Sequence, residues 1–203
     1  MNKCCYPMIA KRIFDIVVSL MAICCLIVPS LIIIIFVVTG SRGGAFYRQE
    51  RVGRNEKLFR LLKFRTMYSG SDKKGLLTVG SSDSRITSVG RFLRKTKIDE
   101  LPQLLNIFVG HMSFVGPRPE VPKYTSMYND QQRRVFCVKP GLTDLASIVY
   151  INESDLLGAQ PDPEQFYIDV VMPSKLELNI QYIESRSFFG DLRIIFKTLS
   201  KLF

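Results

Sequence analysis

Residues 16–38 read IVVSLMAICCLIVPSLIIIIFVV, 23 positions without a charged side chain. A helix of that length rises about 35 Å, enough to cross a hydrocarbon layer of about 30 Å. It does not have the form of a cleavable leader: the apolar core is too long, no small-residue cleavage site follows, and the next segment is basic. Pro29 and Ser30 fall near its middle. Proline removes a backbone hydrogen bond and a neighbouring hydroxyl can re-satisfy the freed carbonyls, so a break is expected there. Both flanks are positive, with Lys3, Lys11 and Arg12 before and Arg42, Arg48, Arg51, Arg54 and Lys57 after. Positive flanks stay cytoplasmic, which fits a re-entrant helix-break-helix hairpin with both ends on one side. A proline-kinked spanning helix with a short outer tail satisfies the same residues, and local sequence leaves the two open.

The chain has 203 residues and a formal net charge of +10, a size that suits one domain with an appendage. Residues 1–70 hold 11 Lys and Arg against 3 Asp and Glu, whereas residues 71–203 hold 17 against 15. Because the basic part also contains the apolar run, an anionic membrane surface is a more natural partner than nucleic acid. The cysteines and the single histidine, His111, form no zinc-ligand spacing and no Ser-His-Asp arrangement. Cys4 and Cys5 adjoin the membrane segment, where acylation is one reading and an uninstructive terminal pair the plainer one.

Downstream, residues 45–67, AFYRQERVGRNEKLFRLLKFRTM, place two aromatic and apolar segments around Gly53-Arg54-Asn55-Glu56, which predicts a β-hairpin. Residues 69–84 are dense in Gly, Ser, Asp and Lys and read as an exposed loop. Residues 85–98, RITSVGRFLRKTKI, predict a helix with Ile86, Val89 and Leu93 on its apolar face and Arg91, Arg94, Lys95 and Lys97 around it.

The chemistry concentrates in residues 95–108, KTKIDELPQLLNIF. Pro102 suits a first helical turn, so a helix is expected to begin near Asp99, with Asp99 and Glu100 facing its positive end. Such an environment favours ionised carboxylates, as a nucleophile or metal ligand requires, but an acidic cap is the ordinary role for this pattern. Further on, Pro117 and Pro119 stiffen the backbone around Arg118, which suits a phosphate contact, or only an exposed loop. Pro140-Gly141 predicts a turn. At the end, Leu192, Ile195, Phe196, Leu199 and Leu202 share one helical face, with Arg193, Lys197 and Lys201 on another. Such a helix docks on the domain or lies on a bilayer.

As an ordered set, the apolar hairpin, KFRTM, DSRITSVGRFLRKTKIDELPQLLN, MSFVGPRP, PGLT and the amphipathic end resemble the small bacterial monotopic phosphoglycosyl transferases of the bacterial sugar transferase family. The resemblance implies an α+β, mainly helical fold with a small β-hairpin. It implies a re-entrant membrane hairpin over residues 1–40 and a cytoplasmic catalytic domain over 41–203, at the bacterial inner membrane. It makes Asp99 and Glu100 the catalytic dyad. Asp99 attacks the sugar-bearing phosphate of a UDP-sugar, releases UMP, and passes the phosphosugar to undecaprenyl phosphate. Glu100 would hold Mg²⁺, Arg118 and Arg94 would contact phosphate, and Lys63 and Arg65 are further candidates. The chain departs from the commoner family pattern at Asp144 and at Ile148-Val149-Tyr150-Ile151-Asn152-Glu153. That points to a distinct donor, expected to be an N-acetylated amino sugar. The resemblance leaves a homodimer open and implies no nucleic acid. The competing reading is a non-enzymatic, membrane-anchored basic module that binds anionic lipid or nucleic acid.

Overall fold

The computed structural model describes residues 9–71 and 83–202. Lys3, Cys4, Cys5 and most of the loop read at 69–84 lie outside the described residues. The first described element is α1, Ile9–Gly40, which runs through Pro29 as one helix. The expected break at Pro29 and Ser30 is therefore not seen as a gap in the helix. At 32 residues it is about 48 Å long.

α1 lies along the rest of the molecule. Lys11 donates to the Val115 carbonyl at 2.7 Å and pairs with Asp191. Arg12 donates to the Ile107 and Phe108 carbonyls at 2.7 and 2.8 Å, at the end of an adjoining helix where the Ile107 carbonyl also accepts from Gly110 N at 3.0 Å. Asp15 accepts from Ser113 Oγ at 3.1 Å and Phe114 N at 3.2 Å. Ala22, Ile23 and Leu26 pack on one apolar cluster, and Ile33, Ile34 and buried Val37 belong to another. These residues recur every three or four positions, one stripe of a helix. The opposite side, including Ile13, Val17, Met21, Val28, Ile32 and Phe36, is exposed.

The predicted hairpin is present: β1, Phe46–Val52, pairs antiparallel with β2, Leu58–Phe64. Its turn uses left-handed backbone at Asn55 and Glu56, φ 55° and 60°. The helix expected over 85–98 is shorter, α2 at Ser88–Lys95, capped by Thr87 Oγ1 accepting from Gly90 N at 2.9 Å. It ends at Lys97, whose φ of 57° turns the chain into a 3₁₀ turn, Ile98–Glu100. Only then comes α3, Gln103–Val109, with Pro102 at its N-cap. The α-helix thus starts later than expected, and Asp99 and Glu100 sit in the tight turn before it.

The Pro140-Gly141 segment proves to lead into a strand. β3, Ser113–Val115, pairs in parallel with β4, Gly141–Thr143. These three-residue strands carry no periodic signal. Between them lies α4, Pro122–Thr125, and after them α5, Leu145–Val149, α6, Glu153–Gly158, and α7, Pro163–Phe166. A π-helical turn leads into α8, Met172–Ser185, and α9, Phe188–Leu202, completes the chain. The main core gathers Val115, Tyr124, Phe136, Leu157, Tyr167, Val171 and Leu176. α9 docks through Asp191, Ile194, Ile195 and Thr198, while Phe189, Phe196 and Leu199 remain exposed. Its apolar face is thus divided between core and surface.

One close approach sets where α2 sits. A Cβ on Gly90 would lie 2.0 Å from the Thr66 carbonyl oxygen, so only glycine lets α2 rest on the chain leaving β2. Gly90→Ala is expected to cost about 1–3 kcal/mol by overpacking, read as a lower chemical-unfolding midpoint in detergent. An unchanged midpoint would contradict this packing.

Candidate active site

Asp99 is 5% exposed and accepts no hydrogen bond from the described residues. Its nearest cation is Lys63, with Nζ 3.9 Å from Oδ2. Glu100, beside it, takes most of the positive charge. Lys63 Nζ donates to Glu100 Oε1 at 2.8 Å, and Arg118 grips the same carboxylate through Nη2 to Oε1 and Nη1 to Oε2, the latter at 3.4 Å. Burial pushes the Asp99 carboxyl up; Lys63 draws it back, and the charge on Glu100 adds to the rise. Burial opposes ionisation of Glu100 too, but Arg118 and Lys63 outweigh it and hold its carboxyl far below the usual range. The dyad is therefore electrostatically unequal, with one carboxylate neutralised and its neighbour left open.

Several local devices hold this arrangement. Asn106 of α3 accepts from Leu62 N at 3.0 Å and donates to the Arg60 carbonyl at 2.9 Å. The side chain thus completes the edge of β2 as another strand would, and fixes Lys63 relative to the 98–100 turn. Arg118 is placed by its backbone. Its N–H donates to Asp144 Oδ2 at 3.2 Å, while Asp144 Oδ1 caps α5 by accepting from Ser147 N at 2.6 Å. Pro117 is bound to β4 through its carbonyl, which accepts from Gly141 N at 3.0 Å. Gly141 must be glycine there, since a Cβ would stand 2.2 Å from Gly116 N.

The other expected phosphate contacts separate. Arg94 donates from Nε to Thr66 Oγ1 at 2.9 Å and lines the cleft that contains the dyad. Arg65 borders the same cleft, but its Nη2 is committed to the Val37 and Ser41 carbonyls at 3.0 and 2.7 Å. It ties the end of α1 to β2. Its Nε and Nη1 are buried without hydrogen-bond partners among the described residues.

The cleft has a volume of about 970 Å³. Lys63, Arg91, Arg94, Lys95, Lys97 and Arg118 line it, with Asp99, Glu100 and Asp155 as its carboxylates. A surplus of fixed cations around the carboxylates of a cleft suits a substrate with several phosphate charges. Among the described residues no three His, Cys, Asp or Glu side chains gather as a metal cluster. Asp144 and Asn106 were not read as site-positioning residues in the sequence. The Asp144-to-Ser147 capping spacing was a usable signal for one; nothing local marked the other.

The profile of the bacterial sugar transferase family matches residues 6–203. The chain belongs to that family. It is an enzyme, a sugar transferase. It is 38% identical over 195 residues to the uncharacterized sugar transferase EpsL of Bacillus subtilis, covering 96% of this chain and 88% of that protein. It is 37% identical over 201 residues to the UDP-glucose:undecaprenyl-phosphate glucose-1-phosphate transferase of Klebsiella pneumoniae, covering 97% of this chain and 40% of the relative. The undecaprenyl-phosphate galactose phosphotransferase of Salmonella typhimurium is 36% identical over 203 residues, covering 93% of this chain and 39% of the relative. The chain thus spans less than half the length of these two relatives.

The inequality within the dyad is testable. Lys63→Met removes the nearest cation from Asp99 and is expected to move its titration to higher pH, followed by carboxyl ¹³C NMR. An Asp99 carboxyl that titrates unchanged in the variant would contradict the assignment of Lys63 as its principal counter-charge.

Proposed function

We propose that this chain transfers a sugar-1-phosphate from a UDP-sugar to undecaprenyl phosphate, with Asp99 as the covalent nucleophile. The observation that carries the reading is the open, buried Asp99 beside a Glu100 already neutralised by Lys63 and Arg118. Asp99 Oδ attacks the sugar-bearing phosphorus and the bond to the bridging oxygen breaks. UMP leaves with that oxygen. A phosphate oxygen of undecaprenyl phosphate then attacks the same phosphorus, the bond to Asp99 breaks, and the carboxylate is regenerated. Covalent catalysis of this kind divides one transfer into two steps and gives ping-pong kinetics.

Raising Asp99 by burial has a cost and a use. Fewer molecules carry it ionised at low pH, but the ionised form is poorly solvated and more basic towards phosphorus. Cations at fixed positions offset repulsion between this carboxylate and the diphosphate without reorganising. Arg94 and Arg118 are assigned to phosphate contacts, with Lys63 between the two carboxylates. Arg65, turned towards α1, is assigned mainly to holding the membrane helix against the cleft.

Mg²⁺ fits the donor set. Among the described residues Glu100 Oε2 meets only Arg118 Nη1, at 3.4 Å, so it retains acceptor capacity for a hard cation, and Mg²⁺ bound with nucleotide phosphates uses only one or two carboxylates. Glu100 would hold it, and the ion would neutralise diphosphate charge. The names of the Klebsiella and Salmonella relatives support the nucleotide and lipid substrates. The donor is assigned as an N-acetylated amino sugar because residues 148–153 depart from the commoner pattern and because Ile151 and Asn152 line the cleft.

The enzyme is placed on the cytoplasmic face of the inner membrane, with α1 held at that interface as a re-entrant segment whose two ends stay on the same side. Support comes from both ends of α1, which are bound to one folded body through Arg12 and Arg65. A spanning helix would carry one end to the far side. Cysteines placed before and after residues 16–38 are expected to react with an impermeant reagent from the cytoplasmic side alone; labelling from opposite sides would refute the re-entrant arrangement.

For catalysis, Asp99→Asn is expected to reduce UMP release by at least about 10³-fold in a screen of UDP-sugars, while wild-type release stops with EDTA and returns with Mg²⁺. Near-normal release by Asp99→Asn would exclude it as the nucleophile.

A further inference from the structure

A second cavity adjoins the basic cleft, with Glu100 in the walls of both. It has a volume of about 750 Å³, within the usual range of about 300–1,000 Å³ for ligand sites. Its walls include Leu101, Leu104, Leu142, Ile148, Ile195 and Leu199, from the turn after Glu100, α3, β4, α5 and α9. Lys97, Glu100, Arg118 and Lys201 line both cavities. The two spaces therefore share a polar mouth beside Asp99, and the second runs from it between apolar walls. It reaches the surface at Leu199, which is 47% exposed. Its flanking helices carry further exposed apolar groups, Phe108 and Val109 on α3 and Phe196 on α9.

We propose that this groove holds the first isoprene units of the polyprenyl phosphate acceptor, with Lys97 and Lys201 drawing its phosphate to the shared mouth. The inference rests on the transfer reaction proposed above and adds a separate route for the second substrate. A nucleotide sugar is polar throughout and gains nothing from leucine and isoleucine walls. A polyprenyl phosphate has an anionic end and a hydrocarbon remainder, and the groove offers both kinds of wall: cations it shares with the basic cleft, and leucine and isoleucine side chains, with Arg51, Glu120, Glu153 and Lys175 also in its lining. Lys97 is held beside Asp99 by its left-handed turn, φ 57°, and Lys201 lies in the last turn of α9. Two adjoining spaces let UMP leave through the basic cleft while the acceptor approaches along the groove. Part of the acceptor chain is then buried in protein, so affinity depends on the first isoprene units and on the side chains that line their path.

The test uses Leu199→Trp and, separately, Ile195→Trp in the full chain, embedded in lipid nanodiscs. Leu199 is exposed enough to accept a tryptophan without displacing core residues. UMP released in the absence of acceptor reads the first half-reaction, and transfer to undecaprenyl phosphate reads the second. The first is expected to match wild type, while the KM for undecaprenyl phosphate rises about tenfold or more. The KM for an acceptor phosphate with a single isoprene unit should change less. An unchanged KM for undecaprenyl phosphate in both variants, or a parallel loss of both half-reactions, would overturn the proposal. A wild-type chain that releases no UMP from any UDP-sugar would defeat the transfer reaction itself, and the groove's occupant with it; that outcome is visible before any acceptor is added.

Discussion

Two carboxylates at adjacent positions of a buried turn repel each other and lose hydration together, so the site depends on how the surrounding cations are divided between them. Lys63 and Arg118 both bind Glu100, and Lys63 alone approaches Asp99, at 3.9 Å. A symmetric arrangement would leave both groups equally stabilised and equally unreactive. The unequal one keeps Glu100 ionised far into acid and leaves Asp99 with open oxygens towards the cleft. Much of the fold around the site can be understood as maintaining that division. β2 carries Lys63, Asn106 fixes β2 to α3, and Asp144 fixes the Arg118 backbone to the start of α5.

The membrane helix is bound to this arrangement at both ends. Near its start, Arg12 satisfies the last carbonyls of α3, the helix that follows the dyad. At its end, Arg65 satisfies carbonyls of α1 from the strand terminus that adjoins the cleft. Backbone carbonyls left over at helix ends are costly to bury unpaired, and guanidinium groups with several donors are well suited to them. The apolar helix and the dyad are thereby coupled through two arginines. This coupling suits a transfer between a water-soluble donor and a lipid whose phosphate lies at the headgroup level.

Much of the fold was legible because its signals were local. The apolar run of α1, the β1–β2 hairpin and the cationic helix before Asp99 each follow from composition and periodicity. The start of α3 was displaced because Pro102 is compatible with both the end of a 3₁₀ turn and the entry to an α-helix. β3 and β4 were missed because three-residue strands have no period to detect. At the site, Asp99 and Glu100 read locally as caps or as chemistry alike, and the meeting of Lys63 and Arg118 on Glu100 could not be read from positions so far apart in sequence. Arg65 borders the cleft as expected of a phosphate contact, and only packing shows that its Nη2 is committed to the Val37 and Ser41 carbonyls. The apolar groove could not be read at all from the chain, since its walls come from five separated segments.

The central claim is that Asp99 becomes covalently attached to a phosphosugar, and peptide mapping by mass spectrometry after brief mixing with a UDP-sugar in the absence of acceptor tests it most directly. The account predicts a phosphosugar mass on the peptide containing Asp99, absent from Asp99→Asn and discharged when undecaprenyl phosphate is added. UMP release in the absence of acceptor with the peptide unmodified, or with the adduct on another residue, would contradict it.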